Sequence, residues 1–261
     1  MKKIKALIIL SLMLFVGGQM MAQTRGHLFL GATFPISDFS DFDSFEDFAL
    51  IHANEHDGGA GIGISAGFRW YFNVGVEGLG VMLSIDGFYN GPNPDLKEAY
   101  RRKEDYSGIQ WNSGSFDYKS TPKFVNVPLM LGLNYIYYFN PHFGIFAEAG
   151  AGGNLRFITE METVGTVTDA ESGVATQITT NKKYDNVFSF AYQAGLGIEV
   201  AKNLVIGFSF YDLGKGLVKG DETVRRKVLD NIDNTNTKET HYKEYGTVRP
   251  MMFLARIGFT F

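Results

Sequence analysis

The sequence predicts an all-β transmembrane protein. It is an antiparallel up-and-down β-barrel of eight strands, with short turns at one end and four long loops at the other. Three observations carry this reading. Period-two alternation recurs in eight segments, most of about 10 to 16 residues. One face of that alternation is Ile, Val, Leu and Phe, while the other is mostly Gly, Ser, Asn and Thr with few charges. The connections between segments alternate short and long.

The chain has 261 residues, with 23 Phe, 13 Tyr, 31 Gly, 7 Pro and no Cys. The missing cysteine excludes disulfides, thiol nucleophiles, cysteine metal sites and lipid attachment at an N-terminal cysteine. Lys2, Lys3 and Lys5 make a charged end, and Ile4 to Val16 make an apolar run. That run is about 13 residues, too short to span a bilayer, and reads as a secretory leader. Residues 1–22 are assigned to the leader, cut after Ala22 with a cut after Gly18 as the alternative, and residues 23–261 to one barrel domain. Removing the three lysines takes the formal charge from −4 to about −7. An acidic exported chain is a poor nucleic-acid binder, so no nucleic-acid partner is expected.

The strand segments lie near 25–34, 59–72, 76–89, 122–138, 143–157, 187–200, 203–211 and 247–261. In GIGISAGFRWYF, Ile62, Ile64, Ala66, Phe68 and Trp70 share a face opposite Ser65, Gly67 and Arg69. In FVNVPLMLGLNY, Val125 through Tyr135 at odd positions oppose Asn126, Pro128, Met130, Gly132 and Asn134. In the last segment Phe253, Ala255, Ile257, Phe259 and Phe261 are assigned to lipid, and Leu254, Arg256, Gly258 and Thr260 to the interior. A soluble barrel would place its apolar face inside and carry far more Lys and Glu outside. Small and polar residues inside, with aliphatics outside, is the pattern of a barrel in lipid. Hydrocarbon tolerates no open sheet edge, so the eighth segment must close against the first.

The short connections are Asn73–Gly75, FNPH and AKN; the four others run about 24 to 35 residues. Trp70, Tyr71, Phe72, Tyr135, Tyr137, Tyr138, Phe139, Phe259 and Phe261 cluster near the short turns and are assigned to an interfacial girdle.

A last strand ending in phenylalanine resembles the insertion signal of bacterial outer-membrane barrels, carried here by Phe259 and Phe261. FVNVPLMLGLNY followed by FGIFAEAGAGGNLRF also resembles the eight-stranded, porin-like family of OmpA- and OmpX-type barrels, some members of which are PorT-like. The resemblance implies residence in the outer membrane of a Gram-negative envelope, with periplasmic turns and extracellular loops. It implies the outer-membrane lipid as surroundings and the barrel-assembly machinery as a partner during insertion. It implies no activity, and no cofactor is expected. PorT-like relatives imply, as an alternative, a subunit of a larger secretion or assembly complex.

An eight-stranded barrel is only wide enough for its side chains to fill, or to hold one small ligand. The inward charges are Arg69, Asp86, Glu148, Arg156, Glu199 and Arg256. Arg69, Glu148, Glu199 and Arg256 sit near the short-turn end and are expected to pair across the lumen, because an unpaired buried charge is costly. The structural reading is a charge network; the functional one is a gate or an ion path. His27 with Asp86 is the one inward histidine–carboxylate pair to weigh for catalysis. No GxSxG or other nucleophile motif stands out, and a non-enzymatic protein is expected. His52 and His56 in HANEHD have His-x-x-x-His spacing without a strong third ligand, so a solvated loop is preferred over a metal site.

The first long loop repeats Phe39, Phe42, Phe45 and Phe48 among acidic residues. This spacing places the rings along one side of a short helix, with Ser37 or Asp38 as its cap. The rings are expected to fold over the barrel mouth, with docking on a partner and insertion into the outer leaflet as alternatives. LKEAYRRKEDY and VRRKVLDNID supply Arg101, Arg102, Lys103, Arg225, Arg226 and Lys227, read as solvated charge or as attraction for acidic glycans. VGTVTDAESGVATQITTNKK is read as a β-hairpin prolonging the fifth and sixth strands. Function is therefore expected in the loops, through an extracellular ligand or an outer-membrane complex partner.

Overall fold

The computed structural model describes residues 24–40, 59–93, 111–169, 174–229 and 237–261. The leader, Phe42, Phe45, Phe48, His52, His56 and the LKEAYRRKEDY stretch lie outside the described residues. Thirteen strands are present: β1 (Thr24–Ile36), β2 (Ala60–Asn73), β3 (Leu79–Pro92), β4 (Trp111–Ser120), β5 (Phe124–Asn140), β6 (Phe143–Ile158), β7 (Met161–Asp169), β8 (Ala175–Tyr184), β9 (Val187–Val200), β10 (Leu204–Asp212), β11 (Gly216–Val228), β12 (Thr237–Val248) and β13 (Met251–Thr260).

Eight of them close into a barrel in the order β1-β13-β10-β9-β6-β5-β3-β2, with β2 returning to β1. Every pairing is antiparallel. Closure satisfies each strand's backbone without leaving an edge at mid-membrane. The seam pairs Phe29 with Gly258 and Leu30 with Ile257. The alternation read from sequence matches the two surfaces. Ile62, Ile64, Leu129, Leu131, Leu133, Leu196, Ile257 and Phe259 are exposed on the outside, while Ser65, Arg69, Asn126, Met130, Asn134, Leu254 and Arg256 are buried inside. Such an exterior is built for hydrocarbon.

Two lumen glycines make room for charge. A Cβ on Gly67 would collide with Asp86 Oδ1 and the Phe29 ring, and one on Gly207 would stand 2.7 Å from Arg256 Nε. Larger residues there would displace the interior side chains.

The short-turn end differs from the sequence reading in detail. The β2–β3 turn runs over residues 74–78, so β3 starts at Leu79. Gly78 adopts φ 77 and its carbonyl accepts from Ile136 N at 2.8 Å, a conformation that suits glycine. The girdle expectation holds for Trp70, Tyr135, Tyr137, Phe139, Phe259 and Phe261, which are exposed. It fails for Tyr71, which is 4% exposed and points into the lumen, and for Tyr138, which turns inward to Arg25 and Glu199. Alternation decides this: Tyr71 is two residues from inward Arg69.

Three of the four long connections are not merely loops. They supply β4, β7, β8, β11 and β12, which pair as a second sheet in the order β12-β11-β8-β7-β4. The hairpin expected after the sixth strand is β7–β8. The VRRK stretch lies on β11, where Arg225, Arg226 and Lys227 pair in register with β8 and β12. β12 mixes Thr, Lys and Glu on both faces, and the Val218, Val224 and Val228 face of β11 is interrupted by Glu222 and Arg226, so neither shows the continuous apolar face of the barrel strands.

At the first long loop, Ser37–Phe39 forms a 3₁₀ turn. Its N-cap is Ile36, with no side-chain cap, which corrects the expected Ser37 or Asp38 cap. Ser37 itself is left-handed at φ 53.

Candidate functional site

The lumen is filled in layers. At the short-turn end, β1 carries Arg25 and His27 inward, β5 carries Tyr138 and β9 carries Glu199. Arg25 Nη1 lies 3.0 Å from Glu199 Oε2 and donates to Tyr138 Oη at 2.8 Å. Tyr138 in turn donates to Glu199 Oε1 at 2.6 Å. His27 Nε2 stands 3.6 Å from Glu199 Oε2, and its ring meets Tyr71 edge-on at 4.6 Å.

The next layer is the charged centre. Glu148 on β6 accepts from Arg69 of β2 and, at 2.9 Å, from Arg256 of β13. Tyr71 Oη adds a bond to Glu148 Oε2 at 3.2 Å. On the other side of Arg69, Tyr211 of β10 accepts from Arg69 and donates to Asp86 of β3 at 2.6 Å. Asp86 Oδ2 also lies 3.6 Å from Arg69. Phe29 lies under both guanidiniums, at 4.9 Å from Arg69 and 5.1 Å from Arg256. Two arginines against two carboxylates make this layer formally neutral. A buried ion cluster persists only with such pairing and added hydrogen bonds.

Sequence reasoning gathered four charges here and one was misplaced. Glu199 belongs to the end layer with Arg25, and Asp86 takes its place in the centre. The pairing of His27 with Asp86 is also overturned, since Asp86 is taken by Tyr211 and Arg69 while the carboxylate beside His27 is Glu199. The strand tilt of a barrel shifts equal sequence depths to different heights, so counting residues from a turn is too coarse. Arg25, Tyr71, Tyr138 and Tyr211 were not singled out as network members. Arg25 and Tyr211 sat inside predicted segments, in phase with the inward face.

Toward the long-loop end the lumen turns amide-rich and then apolar. Arg156 reaches no carboxylate in the network. It donates to Asn126 Oδ1 at 3.2 Å and to the carbonyls of Val248 and Gly214 at 3.1 and 3.2 Å. It thereby ties the bases of β11 and β12 to the barrel wall. Asn90 bonds Thr33 Oγ1 at 2.8 Å. Phe88, Phe124, Met130, Leu213, Val218, Val248 and Met252 pack with Phe39 as one buried cluster over the mouth. Phe39 is 2% exposed, with its ring 5.4 Å from Phe124. At the rim, Asp212 accepts from Arg249 Nε at 2.9 Å and from Tyr192 Oη at 2.5 Å. The bond to Asp212 raises the Arg249 pKa above its ordinary value.

The outer sheet is polar. Arg225 Nε meets Glu239 Oε2 at 2.9 Å, and His241 lies 3.4 Å from the same carboxylate. Arg226 and Lys238, both exposed, stand directly opposite in register.

No family model matches the chain, and no curated protein does. Solved structures similar to it include the attachment invasion locus protein Ail of Yersinia pestis. That match has 13% identity over 92% of this chain and 99% of that one, with a TM-score of 0.38. The outer membrane protein OprG from Pseudomonas aeruginosa matches at 12% identity, over 91% and 95% of the two chains, with a TM-score of 0.41. Neisserial surface protein A matches at 12% identity, over 91% and 97%, with a TM-score of 0.34. The fold of this chain rests on its own closed ring of pairings.

Proposed function

We propose that this protein is a non-enzymatic outer-membrane barrel that acts through its extracellular β-sheet, in binding or in envelope structure. One observation carries the reading. Three long connections converge on a single five-stranded sheet, standing on a barrel whose lumen is plugged by side chains. A rigid base that carries no wide passage supports a display function better than transport. In this orientation the short turns face the periplasm and Glu148 with its arginines is structural.

The test has two parts. A cysteine placed at exposed Lys227 should be labelled by an impermeant maleimide on intact cells, and one placed at exposed Lys202 only after the envelope is opened. Replacing residues 216–248 with a short glycine turn should leave a heat-modifiable barrel in the membrane fraction but abolish cell-surface binding or disturb the envelope. A mutant barrel that is folded and leaves both unchanged overturns the reading.

A further inference from the structure

The outer wall carries a pair of cations where its apolar band ends. Leu213 N donates to Pro250 O at 2.8 Å, and the next pairing above is Gly216 with Val248. Gly214 and Lys215 thus stand together opposite Arg249, which makes a β-bulge. Gly214 is left-handed at φ 75, as the first residue of such a bulge is when it is glycine. The bulge turns Lys215 outward. Leu213 is buried in the lumen and Gly216 is buried beside Val187, while Lys215 and Leu217 are exposed. Arg249 also faces outward, with its side chain 45% exposed.

The height of this pair follows from β13. About ten residues separate Arg249 from Phe259 of the girdle. At about 3.3 Å each and a tilt of about 40° they rise roughly 25 Å, the height of the apolar band. The pair therefore lies at the long-loop boundary of the hydrocarbon. Asp212, with its side chain 0% exposed, lies beneath it and accepts from Arg249 Nε and Nη2 and from Tyr192. That leaves Arg249 Nη1 available, and among the described residues no acid pairs with Lys215. The next charges above on this ribbon, Lys219 and Asp185, are one of each sign, and Asp185 N bonds Lys219 O. The flanks are apolar: Phe34 and Ile36 on β1, and exposed Phe188 and Phe190 on β9. Below the pair, Phe253 stacks on Phe208 at 5.3 Å and lies 5.7 Å from Phe210. One positive charge is thus left over at the edge of an apolar wall. A free anion gains little from a single screened charge. An anion carried on acyl chains is held by the charge and by the wall.

We propose that Lys215 and Arg249 bind the phosphate of an outer-leaflet lipid whose acyl chains lie against Phe253, Phe210 and Phe208. Asp212 and Tyr192 hold the guanidinium in a fixed orientation, so its remaining N–H groups meet a phosphate in set geometry, and Lys215 adds a mobile charge. Like charges side by side across a strand pair repel. A phosphate monoester carries more than one negative charge and offsets that repulsion. The leaflet rests on the orientation proposed above; the site does not.

The test uses the full chain in phosphatidylcholine nanodiscs, titrated with diphosphorylated lipid A. Lipid A stripped of its phosphates and inorganic phosphate serve as comparisons. The expected result is a saturating shift of the Lys215 amide and Arg249 Nε–H resonances with the phosphorylated lipid, and with neither comparison. Lys215→Gln should weaken binding at least about fivefold, and Lys215→Gln with Arg249→Gln should abolish it. Lys123→Gln, beside β5 on the opposite wall, should leave it unchanged. Lys215→Gln keeps the test meaningful should the loss of Arg249 strand Asp212 and prevent folding. Equal shifts with the stripped lipid, the same shifts with inorganic phosphate, a shift that never saturates, or an equal loss in Lys123→Gln each overturn the proposal. Both faces of a nanodisc are open, so binding there does not depend on orientation. Labelling at residues 202 and 227 thus separates a failure of the outer-leaflet assignment from a failure of the site.

Discussion

Arg69 and Arg256 converge from β2 and β13 on one atom, Oε1 of Glu148 on β6. Three strands that are not neighbours in the barrel are thereby cross-braced through a single carboxylate. The consequences for the two ends of the bridge are unequal. Arg69 has further partners in Asp86 and Tyr211, whereas the charge-paired contact of Arg256 is Glu148.

Replacing Glu148 by Met should therefore be the most damaging loss of a single charge in the lumen. It leaves Arg256 without its carboxylate and Arg69 with only Asp86. Loss of one member of a buried ion pair costs about 3–5 kcal/mol. Unfolding in urea, followed by the heat-dependent gel shift, should show a lower midpoint for Glu148→Met than for wild type.

Arg256→Met should also destabilise, but by less, because Glu148 retains Arg69 and Tyr71. An unchanged unfolding temperature for Arg256→Met would show that the charged layer does not stabilise the barrel. The double variant Glu148→Met with Arg256→Met should be less damaging than the sum of the singles, as coupled pairs require.

Gly67→Leu should block assembly rather than merely weaken the fold. The added side chain would enter the space of the Asp86 carboxylate, held by Tyr211 and Arg69, and of the Phe29 ring, which lies under two guanidiniums. The measurement is the fraction of protein that reaches the membrane in heat-modifiable form. Normal assembly of Gly67→Leu would contradict the packing described at this layer.

Phe39→Ala should loosen the long-loop mouth without opening a conduit. The ring packs on Phe124, and truncating a buried Phe costs about 3–5 kcal/mol where the site cannot collapse. Phe88, Met130 and Arg156 still fill the lumen beneath it. Faster amide exchange around Phe124 is expected, with no new conductance in planar bilayers. A large stable current would show that Phe39 alone seals the barrel.

Arg225→Gln on the outer sheet should change stability by less than about 1 kcal/mol, since its pairing with Glu239 is exposed and screened. The same urea titration checks this. A loss comparable to that of Glu148→Met would mean that β11 and the barrel unfold as one unit.

The contrast between these positions follows the limits of the sequence. Period-two alternation by itself determined the eight barrel strands and which face of each meets lipid, because a strand has two faces and the lipid accepts only one kind of residue. Ile62, Leu131 and Phe259 declare themselves in this way, as do inward Arg69 and Arg256. It also placed the β7–β8 hairpin, where Val and Thr recur between turn residues. Only the tertiary structure decided who pairs with whom inside. Barrel tilt brings Glu148 to two arginines and carries Glu199 away to Arg25, and a linear spacing contains no such height. β11 and β12 stayed hidden as well, because strands standing in water need no apolar face. Their pairing comes from register with β8, a relation between segments far apart in the chain.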